Sequence, residues 1–181
     1  MRITGGILRG RTLATVSGWV TRPTSEKIRQ SIFNILMNDV EGADVLDLFA
    51  GSGALGIEAL SRGAASAVFV ESGRPQAEIV KKNLASLDLT ARIITRDFRS
   101  ACQHLSHEGY RFDLVFADPP YEQFLPEVVG RAVLQYDLLH DKGLFIMERK
   151  SGPQVIIDGL KLLKNRKFGQ TEVSFYARSQ K

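Results

Sequence analysis

The 181-residue sequence is poor in several features that define whole classes of protein. Its single cysteine, Cys102, cannot form an internal disulfide and lacks the partners of a Cys-rich zinc site. Because disulfides belong mainly to oxidising compartments, this favours a cytoplasmic location. No apolar run approaches the roughly 18 residues of a membrane span, and no secretory apolar segment follows the first residues. The sequence therefore predicts a protein that is neither secreted nor inserted in a membrane.

Repeats, low-complexity segments and long linkers are also missing, which predicts one domain over residues 1–181. A chain of this length, 44% apolar, buries about 70% of its unfolded surface and needs no structural metal. We divide the domain into an N-terminal extension, residues 1–40, and a core, residues 41–181. The small size favours a monomer.

The net charge of +4 is unevenly distributed. Residues 1–30 hold six Lys and Arg against one acid, and residues 161–181 again hold six against one. Residues 31–160 hold 12 against 18. Two basic ends around an acidic middle suggest an anionic partner that meets the ends of the chain, and nucleic acid is the hypothesis to test.

The N-terminal extension is predicted to be a short hairpin followed by a helix. Residues 2–20 are rich in Gly, Arg and β-branched residues, with the turn at Gly5-Gly6 or at Gly10. A helix begins at Thr24 or Ser25, because apolar residues then recur at helical spacing. Lys27 and Arg29 lie off this apolar stripe.

From residue 43 onward, short apolar runs alternate with helical patterns. The predicted strands are residues 45–49, 67–70, 92–95, 113–117 and 144–147, and the predicted helices are residues 54–61, 76–87, 98–105 and 126–139. This alternation predicts an α/β fold with a mostly parallel sheet covered on both faces. Residues 160–167 and 171–178 are predicted to close one edge as an antiparallel pair. Ligands of such sheets bind at the carboxyl ends of the strands.

A glycine pattern, Gly51-x-Gly53-x-x-Gly56, follows the first strand and opens a helix. Glycines at these places let the backbone turn tightly beside a helix N-terminus. Alone the pattern is weak evidence, since a tight turn explains it equally well. Glu71, twenty residues after Gly51 and at the end of the second strand, adds a carboxylate that can accept both hydroxyls of a ribose. The combination predicts a nucleoside site.

Asp47 helps to distinguish between possible cofactors. An unpaired carboxylate inside an apolar strand is costly, and it suits a cofactor with an amino group and a sulfonium better than a pyrophosphate. After the third strand, Asp97 is a candidate for the adenine amino group and Phe98 for its ring, although Asp97 is an equally good helix N-cap. Phe49, within the glycine turn, completes the candidate cofactor contacts.

Asp118-Pro119-Pro120-Tyr121 directly follows the fourth strand. The prolines hold this segment rigidly and carry no N–H, so it presents hydrogen-bond acceptors beside an aromatic ring. Such a rim fits a planar base whose exocyclic amine donates two hydrogen bonds while Tyr121 stacks on its face. A rigid turn with a surface tyrosine is the structural alternative. The position after the fourth strand favours a catalytic role for Asp118, Pro119 and Tyr121.

Three segments together resemble the family of bacterial 16S ribosomal RNA (guanine-966 N2)-methyltransferases over nearly the whole chain. They are residues 22–36 (RPTSEKIRQSIFNIL), residues 47–63 (DLFAGSGALGIEALSRG) and residues 118–121 (DPPY). The Asp-Pro-Pro-Tyr motif occurs in many amino-methylating enzymes. The Arg-Pro-Thr helix combined with Phe-Ala-Gly-Ser-Gly-Ala-Leu-Gly is the specific part.

The resemblance implies a Rossmann-like class I methyltransferase fold, S-adenosylmethionine as methyl donor, and 16S rRNA of the small ribosomal subunit as substrate. The cofactor contacts would include Asp47, Gly51, Gly53, Glu71 and Asp97. Asp118 and Tyr121 would hold the guanine. The basic hairpin and residues 22–29 would meet RNA, with Arg9, Arg11, Arg22, Lys27 and Arg29 as contacts. No metal is expected.

Three other interpretations remain open at this stage. The acceptor rim also fits an amino-methyltransferase that acts on another RNA, a DNA base or a glutamine side chain. A nucleic-acid-binding module could have kept the fold without the activity, although the paired glycine turn, Glu71 and Asp-Pro-Pro-Tyr argue against this. A nicotinamide dehydrogenase would leave residues 118–121 without a purpose. Cys102 is predicted to be a small buried hydrophobe rather than a nucleophile.

Overall fold

A computed structural model describes residues 1–15, 26–120 and 125–179. Its strands are β1 (Asp44–Leu48), β2 (Ser66–Val70), β3 (Arg92–Ile94), β4 (Phe112–Ala117), β5 (Leu139–Lys150), β6 (Leu160–Phe168) and β7 (Thr171–Arg178). The helices are α1 (Glu26–Leu36), α2 (Ala54–Ser61), α3 (Arg74–Ser86), α4 (Phe98–His107) and α5 (Pro126–Gln135), and the 3₁₀ turn Met37–Asp39 follows α1. The predicted alternation of strands and helices is confirmed.

The seven strands form one sheet in the order β3-β2-β1-β4-β5-β7-β6. β1 to β5 pair in parallel, and β7 is antiparallel to both of its neighbours, β5 and β6. The predicted antiparallel pair at the C-terminus is therefore confirmed. Within the sheet, β7 lies between β5 and β6, so that β6 is the edge strand.

The end predicted for α5 and the bounds predicted for β5, residues 144–147, are both wrong. The periodicity predicted a helix over residues 126–139, but α5 ends at Gln135. Asp137 adopts a left-handed conformation, with φ 51°, which a continuing helix cannot accommodate. Leu139 then begins β5, which runs for 12 residues because its second half pairs with β7.

The sheet is covered on both faces, as predicted for a parallel sheet. One face carries α1, α2, α3 and the N-terminal segment, with Phe33 of α1 packed on Phe116 of β4 at a ring separation of 5.7 Å. The other carries α4 and α5. Cys102 lies in this second core with no exposed surface, which confirms its prediction as a buried small residue. Each large apolar side chain buried in these cores contributes about 1.5–3 kcal/mol.

The described residues 1–15 contain the predicted short hairpin, closed by the antiparallel bridge between Arg2 and Thr12 and by the hydrogen bond of 3.0 Å from the Ile3 N–H to the Arg11 carbonyl. Residues 16–20 of the predicted segment lie outside the described residues. The hairpin is fastened to the end of α2: Ile7 donates its N–H to the Ser61 carbonyl at 2.8 Å, and the Ser61 hydroxyl donates to the Gly5 carbonyl at 2.7 Å. Gly6, with φ 76°, lies so close that a Cβ would be 1.8 Å from the Ser61 oxygen. Only glycine fits this contact.

Arg29 lies inside the protein, which contradicts its prediction as an RNA contact. Its side chain is fully buried, and its Nε donates to Glu58 Oε2 at 3.1 Å. The same guanidinium donates to the Arg2 carbonyl and to the Met1 sulfur. α1 buries Arg29 because the hairpin covers a strip of the helix beside its apolar stripe, a tertiary contact that helical periodicity cannot show.

Replacing Arg29 with methionine is expected to destabilise the fold by about 3 kcal/mol. The change leaves the buried Glu58 carboxylate without one of its charged partners, and breaking a buried pair costs about 3–5 kcal/mol. The lower end applies because Arg62 and Thr4 still donate to Glu58. The free energy of unfolding in urea measures the effect. Arg111→Met, in a half-exposed pair with Asp137, is the control and should cost at most about 1 kcal/mol. Equal losses in the two variants would contradict a structural role for Arg29.

Candidate active site

The candidate site is at the carboxyl edge of the sheet, after β1, β2 and β4. The last residue of β1, Leu48, pairs with Val70 of β2 and with Ala117 of β4. The segments that follow these three residues therefore leave the sheet side by side. They contain the glycine turn, Glu71 and Asp118, which the sequence predicted to meet.

The glycine turn begins immediately after β1. Gly51 and Gly53 have φ values of 57° and 78°, a left-handed conformation that favours glycine. A Cβ on Gly56 would lie 2.3 Å from the Phe69 ring, so this third glycine lets α2 approach β2 closely. The turn therefore aims the N-terminus of α2 at the edge of the sheet, where it favours a ligand with acceptor groups.

Glu71 is joined directly to this turn. Its Oε2 accepts the Gly51 N–H at 2.9 Å, and its Oε1 accepts the Gly73 N–H at 2.8 Å. A carboxylate offers about four acceptor positions, so two such bonds leave capacity for hydroxyl donors. The structure thus places Glu71 beside the glycine turn, as its spacing indicated. Ribose binding by Glu71 stays a prediction.

Asp47 is buried beneath the turn, with 2% of its surface exposed. Its Oδ2 accepts the Gly56 N–H at 2.9 Å. Burial raises the pKa of Asp47 to about 7; the Gly56 hydrogen bond opposes the rise, and the nearby Glu71 carboxylate adds to it. A carboxylate so poorly stabilised by its surroundings gains strongly from a cation placed next to it. Asp47 has the properties required to meet an amino group, and this role stays a prediction.

Replacing Asp47 with asparagine should change how stability depends on pH. The folded-state pKa lies above the ordinary value of 3.8, so this carboxyl favours folding below about pH 4, and that contribution is lost as the pH rises to about 7. Asparagine does not titrate, and its oxygen can still accept from Gly56. Urea unfolding should therefore show the stability of the variant rising relative to wild type by up to roughly 4 kcal/mol between about pH 4 and pH 8.

The same Asp47→Asn variant should bind S-adenosylmethionine at least about tenfold more weakly, measured by calorimetry. Asp44→Asn, at the amino end of the same strand, is the matched control and should leave the affinity unchanged. If Asp47→Asn alters neither the pH dependence nor the affinity, the carboxylate has neither the proposed titration nor the proposed contact.

Asp97 and Phe98 open α4 after the third strand. Asp97 Oδ1 accepts the Ser100 N–H at 3.1 Å, and its hydrogen bonds with Ser100 lower its pKa. This confirms the N-cap interpretation; contact with an adenine stays a prediction. Phe98 is 4% exposed, and its ring lies 5.3 Å from that of Phe49. The two rings form an apolar wall next to the glycine turn.

Asp118 and Pro119 directly follow β4. Asp118 is half-buried and Pro119 is buried. Tyr121 lies outside the described residues, as do Arg22 and the predicted helix start at Thr24 or Ser25. The described part of the Asp-Pro-Pro-Tyr motif thus lies at the predicted edge, and its catalytic role stays a prediction.

Two residues at this edge were missed by sequence reasoning. Glu148, 5% exposed, follows Met147, which pairs with Ala117; Glu148 therefore comes level with Asp118. An acid at the end of the apolar run 144–147 was the available signal.

The second missed residue is Asn83 of α3, whose amide donates to the Ser52 carbonyl at 2.9 Å and to the Ala14 carbonyl at 3.1 Å. It joins the glycine turn to the N-terminal segment, and an asparagine in a helix gives no sequence signal of this.

The proposed RNA contacts separate into two groups. Arg9, Arg11 and Lys27 are exposed, and Arg11 donates to the Ser86 carbonyl at 2.8 Å. Arg29 is buried and is withdrawn from the set. The exposed cations lie on the hairpin and on the first turn of α1. A hydrogen bond from the Arg2 N–H to the Glu26 carboxylate connects these two elements.

Three further observations concern residues 1–15, 26–120 and 125–179. Burial raises the pKa of the Cys102 thiol to about 12, which keeps the thiolate nucleophile from forming near neutral pH. No group of three or more His, Cys, Asp or Glu side chains is placed to hold a metal ion in these ranges. No helix within them is both long and apolar enough to cross a membrane.

The strand order and the glycine turn after β1 define a Rossmann-like class I methyltransferase fold. The profile of the family described as Conserved hypothetical protein 95 matches residues 1–177. The chain belongs to this family.

Named relatives match the chain along most of its length. Ribosomal RNA small subunit methyltransferase D of Escherichia coli strain K12 is 35% identical, over 98% of this chain and 90% of its own. The protein of the same name from Haemophilus influenzae is 34% identical, over 97% of this chain and 93% of its own.

Solved structures are also similar to this chain along nearly its whole length. The Escherichia coli protein yhhF, described as a candidate methyltransferase, is 35% identical and superimposes with a TM-score of 0.87 over 98% of this chain and 97% of its own. The Thermus thermophilus protein TTHA0928 is 28% identical and gives 0.86 over 99% of each chain.

Proposed function

We propose that this protein transfers a methyl group from S-adenosylmethionine to the exocyclic N2 amine of a guanine in 16S rRNA of the small ribosomal subunit. One observation carries the proposal: the glycine turn with Glu71 and the Asp118-Pro119 segment leave neighbouring strands at the same edge of the sheet. This proximity supports a proposed nucleoside site next to a proposed acceptor rim. Relatives that match nearly the whole chain are named small subunit rRNA methyltransferases, which supports the substrate class.

The residues present fit the proposed cofactor. Glu71 would accept the ribose hydroxyls, the left-handed glycines would admit the ligand close to the backbone, and the Phe49–Phe98 wall would border the adenine. Asp47 would face the amino group, since a buried carboxylate with a raised pKa is stabilised by a cation. When bound, S-adenosylmethionine supplies an electrophilic methyl group on a positively charged sulfur.

The acceptor base would be held by Asp118 and the proline segment. Pro119 and Pro120 have no N–H, so the backbone there offers only carbonyl acceptors. Together with the Asp118 carboxylate, these groups would accept the two N–H donors of the guanine amine and fix its nitrogen in position. Positioning of two reactants can account for about 7–11 kcal/mol of a barrier. Stacking on Tyr121 would add about 1–3 kcal/mol and offset part of the cost of flipping the base.

Tritiated methyl transfer to small ribosomal subunits from cells lacking the enzyme tests the proposal, followed by mapping of the labelled base. We expect label on the N2 amine of one guanine. Asp118→Ala should lower the rate by at least about 100-fold, because the amine loses its orientation, while calorimetry shows nearly unchanged binding of S-adenosylmethionine and none of NAD.

Asp158→Ala is the control for this substitution, since Asp158 is 85% exposed and forms only a loose pair with Arg131. It should methylate at the wild-type rate. Label on another base, on DNA or on protein would reject the proposed substrate. Wild-type turnover by Asp118→Ala would reject the role of Asp118.

The exposed cations of the hairpin and α1 should contribute to RNA binding through phosphates. Replacing Arg9, Arg11 and Lys27 together with glutamine should lower the slope of log affinity against log salt by about 2 to 3, because fewer counterions are released. Fluorescence anisotropy with labelled 16S rRNA measures the slope. Lys142→Gln, an exposed cation at the amino end of β5, should leave it unchanged. An unaltered slope in the triple variant would show that these residues do not contact phosphates.

A further inference from the structure

The edge strand β6 is the second strongly basic segment of the described chain. Its nine residues, Leu160–Phe168, include Lys161, Lys164, Arg166 and Lys167 and no acid. All four cations are exposed. Since β6 pairs only with β7, its outer edge and much of its surface face solvent.

The pairing register places three of these cations on one face. Lys161 pairs with Ala177, Lys164 with Phe175 and Arg166 with Val173. Phe175 and Val173 belong to the core under α1, so the three cations project on the face of the sheet that α1 covers. Lys167 pairs with Glu172 and lies on the opposite face. A shift of register between Leu162 and Lys164 brings the three into this arrangement, and the alternation of the sequence alone would not show it.

These three cations are not neutralised within the described residues. Their cross-strand partners are all apolar, and none of the three forms an ion pair there. Elsewhere the protein pairs many of its guanidinium groups, including those of Arg29, Arg62, Arg92, Arg149 and Arg178. The face of β6 thus keeps a local excess of positive charge.

The same register connects this charge to the candidate site. Arg166 pairs with Val173, Val173 with Glu148, and Glu148 comes level with Asp118. Arg166 and Asp118 therefore lie in one row, three strand spacings or about 14 Å apart. Lys164 occupies the row of Phe116 and Asp47, two residues further from the carboxyl edge. The cations thus extend away from the site as a line along β6.

We propose that Lys161, Lys164 and Arg166 form a second RNA-binding surface that contacts phosphates of the rRNA flanking the target guanine. The proposal rests on the proposed function for the identity of the RNA. A line of unpaired cations in register with the site fits a polyanion that continues from the bound nucleotide, because phosphate contacts position the strand without reading its bases. Together with the hairpin, this surface would hold the RNA at two places.

The lysines could instead only protect the edge of the sheet, since charged residues on edge strands prevent pairing with a second chain. The two roles differ in what they predict. Protection requires charge on either face of β6 and concerns self-association. Phosphate binding requires the three cations on the α1 face and concerns RNA.

The test compares Lys161→Gln/Lys164→Gln/Arg166→Gln with wild type. For binding of unmethylated small ribosomal subunits without cofactor, the triple variant should raise Kd on the order of tenfold at about 0.15 M salt and lower the salt slope by about 2 to 3. Methylation should show a raised KM with an unchanged kcat, because the catalytic residues are untouched. Two single variants, Lys164→Gln and Lys167→Gln, provide a matched comparison, because the two lysines lie on opposite faces of the same strand. Only Lys164→Gln should weaken binding.

The possible outcomes distinguish phosphate binding from edge protection, and they distinguish the second RNA surface from the proposed methylation reaction. Unchanged Kd and salt slope in the triple variant, or equal losses in Lys164→Gln and Lys167→Gln, would overturn the second surface. Self-association by light scattering with unchanged RNA affinity would assign the cations to edge protection and would also overturn it. If wild type methylates no ribosomal subunit but the triple variant still loses RNA affinity with a smaller slope, the proposed reaction fails and the RNA surface stands.

Discussion

The buried carboxylate of Glu58 connects the N-terminal hairpin and α1 to α2. It accepts from the Arg29 and Arg62 guanidinium groups and from the Thr4 N–H and hydroxyl. One side chain of α2 thereby fixes the hairpin and α1 to the helix that begins at the glycine turn. Because a charge buried without partners costs several kcal/mol, this arrangement tolerates little movement. The exposed cations of the hairpin therefore keep a defined position relative to the site.

Asp47 of β1 is a second buried acid, with a different environment. It is as inaccessible as Glu58, yet within the described contacts it receives one backbone hydrogen bond, and burial raises its pKa to about 7. Glu58 has enough donors to be structural. Asp47 is left with a need for positive charge, which a protein keeps mainly where a ligand supplies it. This difference between two buried acids gives Glu58 a structural role and supports the proposed contact between Asp47 and the cofactor.

Much of the core could be predicted because short apolar runs followed by Gly, Glu or Asp mark the carboxyl ends of parallel strands. Gly51, Glu71 and Asp118 were placed together for this reason, and the structure brings them to one edge. Arg29 was placed wrongly, since helical periodicity does not show that a distant hairpin covers a helix. The end of α5 was misplaced because Asp137, unlike glycine, gives little warning of a left-handed conformation.

The sequence by itself determined the alternating α/β order, the class of fold and the segments that meet at the carboxyl edge of the sheet, because these follow from local periodicity and from turn residues. Only the tertiary structure decided the faces and neighbours of the charged groups. It buried Arg29 against Glu58, placed Asn83 against the glycine turn, and inserted β7 between β5 and β6. That insertion makes β6 an edge and sets Arg166 in the row of Asp118. Such relations join residues far apart in the chain, and no local pattern encodes them.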